Sequence, residues 1–476
     1  MPLSILSKYI DCVENTDTIH CTGRVTAVRG MLIESQGPRS MVGELCTVTL
    51  EDGGELFAEV VGLEGPRVKL MPYGDTRGIG VGCEVRASGS VLQVGVGQSL
   101  LGRVIDALGR PCDGKKEIIP EDYYPAIAPP PPAMERAEIR ERIDTGVRAI
   151  DSMLTLARGQ RIGIFSGSGV GKSTLLSMIA RNTNADVNVI ALEGERVREV
   201  LDFINRDLGE EGMKRSVVVV STSDQPSIAR LRSAFVATAV AEYFRDQGKD
   251  VMLMFDSITR FAHAQREIGL AAGEPPAQRG YPPSVFEMIP KLLERAGAVP
   301  GGSITGIYTV LVDSDDLDEP ISDKVRGTID GHIVLARRLA QRRHYPAIDV
   351  LGSISRLANR VSGKVKKQAV TKILRLMASY AENEDMILVG AYQKGASAEI
   401  DEAIAIHGSI EAFLTQDEYE VCPFADTVKK LGDLAGMEIP ETELAPNPSA
   451  AAAAEGGIKA EGVSGAPAAA LREGAP

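Results

Sequence analysis

The sequence has no tryptophan, few other aromatic residues and no long apolar segment. Aromatic residues make up 4% of the 476 residues, which disfavours proteins that hold single-stranded nucleic acid by stacking bases on aromatic rings. No apolar run approaches the roughly 18 residues of a membrane-spanning helix, and the N-terminus lacks the basic and apolar segments of a signal peptide. We therefore expect neither a transmembrane nor a secreted protein.

Paired cysteines are absent too. The chain has no C-x-x-C pair and no histidine cluster near its cysteines, which makes disulfide and zinc frameworks improbable. We expect reduced, buried thiols in a cytosolic protein. The six cysteines are Cys12, Cys21, Cys46, Cys83, Cys112 and Cys422.

Positive charge is also in deficit. The chain has 52 Lys and Arg against 65 Asp and Glu, a net charge of −13. This balance disfavours a protein whose main affinity comes from nucleic acid phosphates, although a local basic channel could exist. Apolar residues account for 44% and charged residues for 25% of the chain, which is ordinary for a soluble globular protein. The length corresponds to about three domains.

The N-terminal part predicts a small β-barrel or sandwich over residues 20–92, because short β runs alternate with glycine-rich turns. Before it, residues 1–19 place apolar side chains on one face of a helix, which binds a partner helix, binds a membrane surface or packs on its own domain. Residues 93–139 form a connecting segment that contains the stiff proline run Pro129–Pro132. The predicted strands are Val25–Val28, Cys46–Leu50, Leu56–Val61, Val68–Leu70 and Glu84–Ala87.

The pattern changes at about residue 140. From 140 to 360, apolar β runs alternate with helical segments, which predicts a mostly parallel sheet covered on both faces. Helices dominate over 361–440, and the Ala/Gly/Pro-rich residues 441–476 read as a disordered tail. The strands expected in the central part are Arg161–Phe165, Val187–Leu192, Ser216–Ser221, Val251–Phe255, Ile307–Val312 and Ile333–Ala336, and the later helices are Thr371–Asn383, Ser397–Thr415 and Asp426–Ala435.

A glycine-rich segment directly follows the first of these strands and precedes a helical run. Its glycines let successive N–H groups face phosphate oxygens, and the helix N-terminus adds the positive end of its dipole. Lys172 is expected to reach the β- and γ-phosphates of ATP, and the Ser173 hydroxyl to bind Mg²⁺. Ser166 stands where the usual pattern has glycine. The predicted nucleotide-binding residues of this phosphate-binding loop (P-loop) are Gly167, Ser168, Gly169, Val170, Gly171, Lys172, Ser173 and Thr174.

Acidic residues follow two other predicted strands. Asp256 ends a buried strand about 80 residues after the P-loop, where a carboxylate can hold the Mg²⁺ shell. Hydrolysis also needs a group that orients the attacking water, and the second strand leads into three glutamates. We choose Glu195 for this role, although Glu193 and Glu199 compete with it on sequence alone. If Glu193 and Glu199 do not have this role, we expect them to be surface carboxylates.

The order of these motifs resembles the catalytic subunits of rotary ATP synthases. The resemblance rests on the P-loop, Gly194–Arg196 and Phe255–Arg260, and it covers roughly residues 20–440. It implies an α/β fold with an N-terminal small β-barrel, a central P-loop (RecA-like) domain and a C-terminal helical domain. Three further segments are similar to the protein-export branch of the family, with flagellum-specific ATPases first and virulence-type secretion ATPases next. These segments are Gly102–Pro111, Asp144–Asp151 and Leu388–Gly395.

The resemblance implies roles for five residues. Glu195 corresponds to the catalytic glutamate, Arg196 to the arginine that follows it, and Arg260 to a γ-phosphate contact. Tyr345 corresponds to the aromatic residue that stacks on adenine. The alternative is that Tyr345 is only a turn residue before proline. Arg356 corresponds to an arginine finger that reaches the nucleotide of a neighbouring subunit. The alternative is that Arg356 only forms a surface salt bridge.

The resemblance also implies an assembly. Because Glu195 and Arg356 lie in one chain, a single chain type can close a ring with every interface active, and we expect a homohexamer. Its expected partners are a dimeric regulator at residues 1–19, a central stalk protein, the export gate, and export substrates with their chaperones, with no nucleic acid. The expected location is cytoplasmic, peripheral at the inner face of the cell membrane. The alternatives are a virulence-type export ATPase, a hexameric RNA translocase and a non-catalytic subunit of a rotary enzyme.

Overall fold

The computed structural model describes residues 21–312 and 318–445. The predicted N-terminal partner-binding segment lies outside the described residues, as does the tail after residue 445. The first residues of that predicted tail, Glu441–Leu444, form a short helix whose Leu444 is buried.

The N-terminal part is a closed six-stranded barrel in the order β1-β2-β5-β4-β3-β6. Its strands alternate inward apolar and outward polar residues, which fills the small interior with aliphatic side chains. Five of the six strands were predicted. The sixth strand, β2, was not predicted; it follows β1 through the tight turn at Gly30 and Met31. The strands are β1 (Thr22–Arg29), β2 (Leu32–Gln36), β3 (Glu44–Thr49), β4 (Glu55–Glu64), β5 (Arg67–Pro72) and β6 (Glu84–Val91).

The connecting segment contributes a strand to the next domain. Within it, β7 (Gln93–Val96) pairs with β9 (Asp122–Pro125) in a two-stranded antiparallel sheet. Between them, β8 (Arg103–Ile105) lies parallel to β14 (Ser216–Thr222) at one edge of the central sheet. The connection is therefore part of the central domain's sheet and not only a stiff spacer.

The central sheet has the strand order β19-β18-β12-β17-β15-β13-β14-β8, with β16 paired to β17 at one end. All pairings are parallel except β16–β17 and β18–β19, and the small sheet β10–β11 lies apart. The strands are β10 (Arg142–Ile143), β11 (Leu156–Ala157), β12 (Arg161–Ser166), β13 (Val187–Glu195), β15 (Asp250–Asp256), β16 (Gly297–Val299), β17 (Gly302–Leu311), β18 (Gly331–Leu335) and β19 (Ile348–Ser355).

Helices cover both faces of this sheet, and alternate residues of each strand enter one of two apolar cores. The helices α5 (Ser227–Asp246), α6 (Ile258–Ala272) and α7 (Pro283–Leu293) cover one face. The other face packs against α1 (Arg148–Met153), α2 (Lys172–Asn182) and the C-terminal helices. The remaining helices are α3 (Val197–Asp202), α4 (Gly209–Lys214), α8 (Pro320–Thr328), α9 (Arg337–Gln341), α10 (Ala358–Val361), α11 (Lys364–Leu388), α12 (Ala398–Leu414), α13 (Phe424–Ala435) and α14 (Glu441–Leu444), with a π-helix at Phe203–Leu208 and 3-10 turns at Gln98–Leu100, Ala133–Glu135 and Gln278–Gly280.

The structure confirms the predicted fold class: a β-barrel, a mostly parallel α/β domain and C-terminal helices. Over residues 21–312 and 318–445, no helix is both long enough and apolar enough to cross a bilayer. Both faces of the sheet are covered, so its strands are apolar along their length.

A buried ion pair joins the barrel to the central domain. Arg232 of α5 donates through Nε to Glu59 of β4 at 2.7 Å, and its Nη2 contacts the other oxygen of the same carboxylate. Tyr73 donates its hydroxyl to Glu59 at 2.8 Å. The side chains of Arg232 and Glu59 are both less than 10% exposed, so each buried charge is compensated by the other.

We expect Arg232→Ala to destabilise the chain by about 3–5 kcal/mol, because it leaves the Glu59 charge buried without its cation. The matched control is Arg86→Ala, which breaks the surface pair Arg86–Glu55 in the same barrel and should change stability by at most about 1 kcal/mol. Urea unfolding followed by circular dichroism measures both. Equal midpoints for the two variants would show that the junction pair contributes no net stability.

Candidate active site at the carboxyl edge of the central sheet

The P-loop lies between β12 and α2, at the carboxyl edge of the parallel strands. Gly169 and Gly171 have φ angles of 77° and 94°, a left-handed conformation that glycine adopts without steric cost. Ser166 is the buried last residue of β12. As an extended strand residue it needs no left-handed backbone, so serine is tolerated where the usual pattern has glycine.

Lys172, the first residue of α2, points at the end of a neighbouring strand. Its Nζ lies 2.5 Å from Oδ1 of Asp256, the last residue of β15. Thr309 of β17 donates its hydroxyl to the same oxygen at 2.8 Å. The carboxylate is therefore buried, held from two sides and adjacent to the P-loop.

Glu195 closes the other side of the site at the end of β13. Its Oε1 lies 3.8 Å from Lys172 Nζ, and its Oε2 accepts a hydrogen bond from Arg260 Nη2 at 3.0 Å. Burial is the main factor that raises the pKa of Glu195 to about 7, with contributions from Glu199 and Asp256 that exceed the opposing effect of Lys172 and Arg260. A carboxylate with a pKa near neutrality is suited to accept a proton from water.

A β-bulge separates Glu195 from its competitor Glu193. Glu193 pairs with Ser221 and Glu195 with Thr222, so Gly194 is the extra residue. In a regular strand the two glutamates would face the same side, but the extra residue turns them to opposite faces. Glu195 therefore lies on the P-loop face, and Glu193 on the face of α5 and α6.

The expectation of a surface carboxylate is wrong for Glu193, which has 0% exposure. It is correct for Glu199, which is half exposed and pairs with Arg196 at 3.3 Å. The Arg196 side chain is 80% exposed, so it points away from the buried cluster of Lys172 and Glu195.

Tyr345 stands against the P-loop although it is distant in sequence. A methyl group on Gly171 would lie 3.7 Å from the tyrosine ring. The ring and the loop line a pocket of about 430 Å³ that Gln416, Asp417 and Glu418 close from the C-terminal domain. These three residues were not predicted, because no motif marks the segment after α12.

Arg356 is not part of this cluster within one chain. Its backbone N–H donates to Asp330 O at 3.0 Å, at the amino edge of the parallel strands, whereas the P-loop lies at the carboxyl edge. β19 is also five strand positions from β13, which at about 4.8 Å per strand is about 24 Å. The Arg356 side chain is exposed, and in the described part of the chain it has no ion-pair partner.

The site combines the P-loop with two cations and two carboxylates. The cations are Lys172 and Arg260, and the carboxylates are Asp256 and Glu195. Ser173 is exposed at the start of α2 and directly follows Lys172, and its hydroxyl and the Asp256 carboxylate are oxygen donors of the kind that Mg²⁺ prefers. Within the described ranges, no cluster of three or more His, Cys, Asp or Glu residues could hold a metal by itself. Phosphate oxygens would have to complete a magnesium site.

Three protein-family domains match successive parts of the chain. Residues 146–355 match the nucleotide-binding domain of the ATP synthase alpha/beta family, and residues 25–89 match its beta-barrel domain. Residues 363–433 match the T3SS EscN ATPase C-terminal domain.

The relatives are similar over most of their length. The chain is 59% identical to the flagellum-specific ATP synthase of Treponema pallidum, over 92% of this chain and 98% of that protein. It is 49% identical to the SPI-2 type 3 secretion system ATPase of Salmonella typhimurium, over 86% of this chain and 94% of that protein.

A solved structure has the same fold. The assembled ATPase EscN of the enteropathogenic E. coli type III secretion system matches with a TM-score of 0.83 and 42% identity, over 87% of this chain and 100% of EscN. EscN in complex with its central stalk EscO matches with a TM-score of 0.81. The described chain therefore belongs to the ATP synthase alpha/beta family, within the group of flagellum-specific ATP synthases and type 3 secretion system ATPases.

Proposed function

We propose that this ATPase hydrolyses MgATP in a ring of six identical subunits and thereby energises the export of flagellar proteins through a type III apparatus. The observation that carries the proposal is the convergence of Lys172, Asp256, Glu195 and Arg260 beside the P-loop. These groups are the ones needed to bind a nucleoside triphosphate and to orient a water molecule at its terminal phosphate.

Each residue has a distinct role in the proposed reaction. The P-loop N–H groups and the N-terminus of α2 bind the phosphates, and Lys172 turns from Asp256 to the β- and γ-phosphates. Glu195 orients the attacking water and accepts its proton, while Arg260 binds the γ-phosphate. Ser173 and Asp256 would hold Mg²⁺, which when bound offsets the phosphate charge.

The position of Arg356 supports an assembly in which each site is shared between subunits. Its distance from Glu195 in the same chain is too great for direct contact with one nucleotide. An exposed arginine at the end of an edge strand could instead enter the cleft of the next copy. Head-to-tail contacts of this kind close into a ring when the rotation from one copy to the next divides a full turn.

The identities to two flagellum-specific relatives favour flagellar export over virulence-type export. These two are 59% and 52% identical to this chain, two other flagellum-specific relatives are 47% and 45% identical, and the secretion ATPases of Xanthomonas euvesicatoria and Salmonella typhimurium are 48% and 49% identical. The virulence-type system is the second candidate, since these identities are also high.

Deletion of the gene in its host tests the assignment. We expect loss of motility and loss of flagellar filament protein from the culture medium, both restored by the wild-type gene but not by a Lys172→Ala gene. Normal filament export together with loss of a different secreted protein would instead assign the chain to the second candidate.

The remaining expected partners are part of the same proposal. These are a dimeric regulator bound by residues 1–19, a central stalk protein, and the export gate with its substrates and chaperones. Peripheral association with the inner face of the cell membrane would follow from contact with the gate. Removal of residues 1–18 should abolish co-purification with the regulator, and retained binding would place that interface elsewhere.

Tyr345 is proposed to stack on the adenine ring in the 430 Å³ pocket. We expect Tyr345→Ala to raise KM for ATP by about 5- to 150-fold, since stacking of a base on an aromatic ring contributes about 1–3 kcal/mol. Tyr345→Phe retains the ring and should keep KM near the wild-type value. Steady-state hydrolysis measures both, and an unchanged KM for Tyr345→Ala would contradict the stacking role.

A further inference from the structure

Glu193 is a buried acidic residue that the proposed reaction does not use. It has 0% exposure, and neither of its carboxylate oxygens has a hydrogen-bond partner among the described residues. Burial raises the pKa of Glu193 well above its usual range, and the charges of Arg230 and Arg260 oppose the effect. A buried acid without hydrogen bonds is unfavourable, so its presence beside the active site requires an explanation.

Arg260 has an unused donor in the same place. Its Nη1 donates to the carbonyl of Gly194 and its Nη2 to Glu195 at 3.0 Å, whereas its buried Nε has no partner in the described structure. A methyl group on Gly194 would lie 2.9 Å from Arg260 Cδ. The arginine therefore passes directly over the residue that separates Glu193 from Glu195.

The second arginine near Glu193 is already engaged. Arg230 donates to Glu267, to the Ser227 hydroxyl and to the backbone carbonyl of Gln225. Arg260 is thus the neighbouring cation with a free N–H group in the described structure. The bulge at Gly194 directs Glu193 towards the helices that carry both arginines.

We propose that Glu193 is a positioning residue that accepts the Nε–H of Arg260 when the two Nη groups turn from Gly194 and Glu195 to the γ-phosphate of ATP. The guanidinium is a rigid planar fork, so a carboxylate on its Nε side leaves both Nη groups free for phosphate oxygens. Release from Arg260 also frees Glu195 to orient water. This inference rests on the proposed function, because it assigns Arg260 to the γ-phosphate.

The test compares Glu193→Gln with the wild-type ring in steady-state ATP hydrolysis. We expect kcat to fall by about 10- to 100-fold, because the neutral glutamine oxygen holds the Arg260 guanidinium less strongly than a carboxylate does and so leaves it misplaced, with KM changed less than about threefold. The unfolding midpoint should not fall, since a neutral amide replaces a buried acid of similar shape. Glu193→Asp, which keeps the carboxyl group on a shorter side chain, should retain part of the kcat that Glu193→Gln loses.

Two further variants separate the outcomes. Glu267→Gln removes the carboxylate that pairs with Arg230, the second arginine near Glu193. This variant should leave kcat within about threefold of wild type. Adding Glu193→Gln to Arg260→Ala should lower kcat no further, because residues that act through one contact are non-additive. The role of Glu193 is overturned if Glu193→Gln leaves kcat unchanged. It is also overturned if Glu193→Gln lowers kcat by the same factor in the Arg260→Ala chain as in the wild-type chain. Unchanged hydrolysis in Arg260→Ala and Glu195→Gln would instead overturn the proposed active site.

Discussion

Glu195→Gln is expected to lower ATP turnover by about 10²- to 10⁴-fold, the range typical for loss of a general base, while ATP binding is retained. Glutamine has nearly the same shape, and its amide oxygen can still accept the hydrogen bond from Arg260 Nη2. It cannot accept a proton from water, which the carboxylate can do because its pKa is raised to about 7. The variant should therefore separate binding from chemistry.

Single-turnover hydrolysis and nucleotide titration measure the two quantities on the same preparation. Glu211→Gln is the matched control, because Glu211 is an exposed glutamate on α4 that pairs with Lys214. It should hydrolyse ATP at the wild-type rate. If Glu195→Gln also retains wild-type turnover, Glu195 is not the base, and the nearby Glu199 becomes the next candidate.

Arg356→Ala is expected to lower turnover by about 10³- to 10⁵-fold, as for other arginine fingers, and the defect should be repairable by a different defective subunit. A mixture of Arg356→Ala and Glu195→Gln subunits forms some interfaces with an intact Glu195 on one side and an intact Arg356 on the other. With random assembly of equal amounts, about a quarter of the interfaces are complete. Turnover should therefore rise towards a quarter of the wild-type value.

The control replaces Glu195→Gln in the mixture with a chain that carries both substitutions. No interface can then be complete, and turnover should not rise above the level of Arg356→Ala alone. Arg360→Ala, at a second exposed arginine just after β19, should be active by itself and controls for loss of surface charge. If co-assembly is demonstrated but the first mixture stays inactive at every ratio, Arg356 does not act on a neighbouring site.

Local sequence was sufficient to predict the P-loop and most of the strands. The left-handed residues of the loop are glycines, and the strand before it and the helix after it have distinct apolar patterns. The missed strands lacked such signals. β2 is separated from β1 by only two residues, and β19 contains Gly352 and two serines, which are poor strand formers or turn residues.

Sequence by itself could not rank the three glutamates at and just after the end of β13. Their order in the chain is Glu193, Glu195 and Glu199, and each could follow a strand into an active site. The bulge at Gly194 decides between the first two by turning them to opposite faces of the sheet. A bulge depends on pairing with the neighbouring strand β14, which the local sequence does not encode.

The sequence alone determined the chemistry of the chain: a P-loop with Lys172, an acidic strand end at Asp256 and a glutamate-rich segment around Glu195. These features are local, since each depends on a few consecutive residues and on the element that carries them. Only the tertiary structure determined which groups meet. It brought Thr309 to Asp256, Tyr345 to Gly171 and Arg260 to Glu195. It also placed Arg356 at the opposite edge of the sheet, because strand order is set by long-range pairing and not by position in the chain.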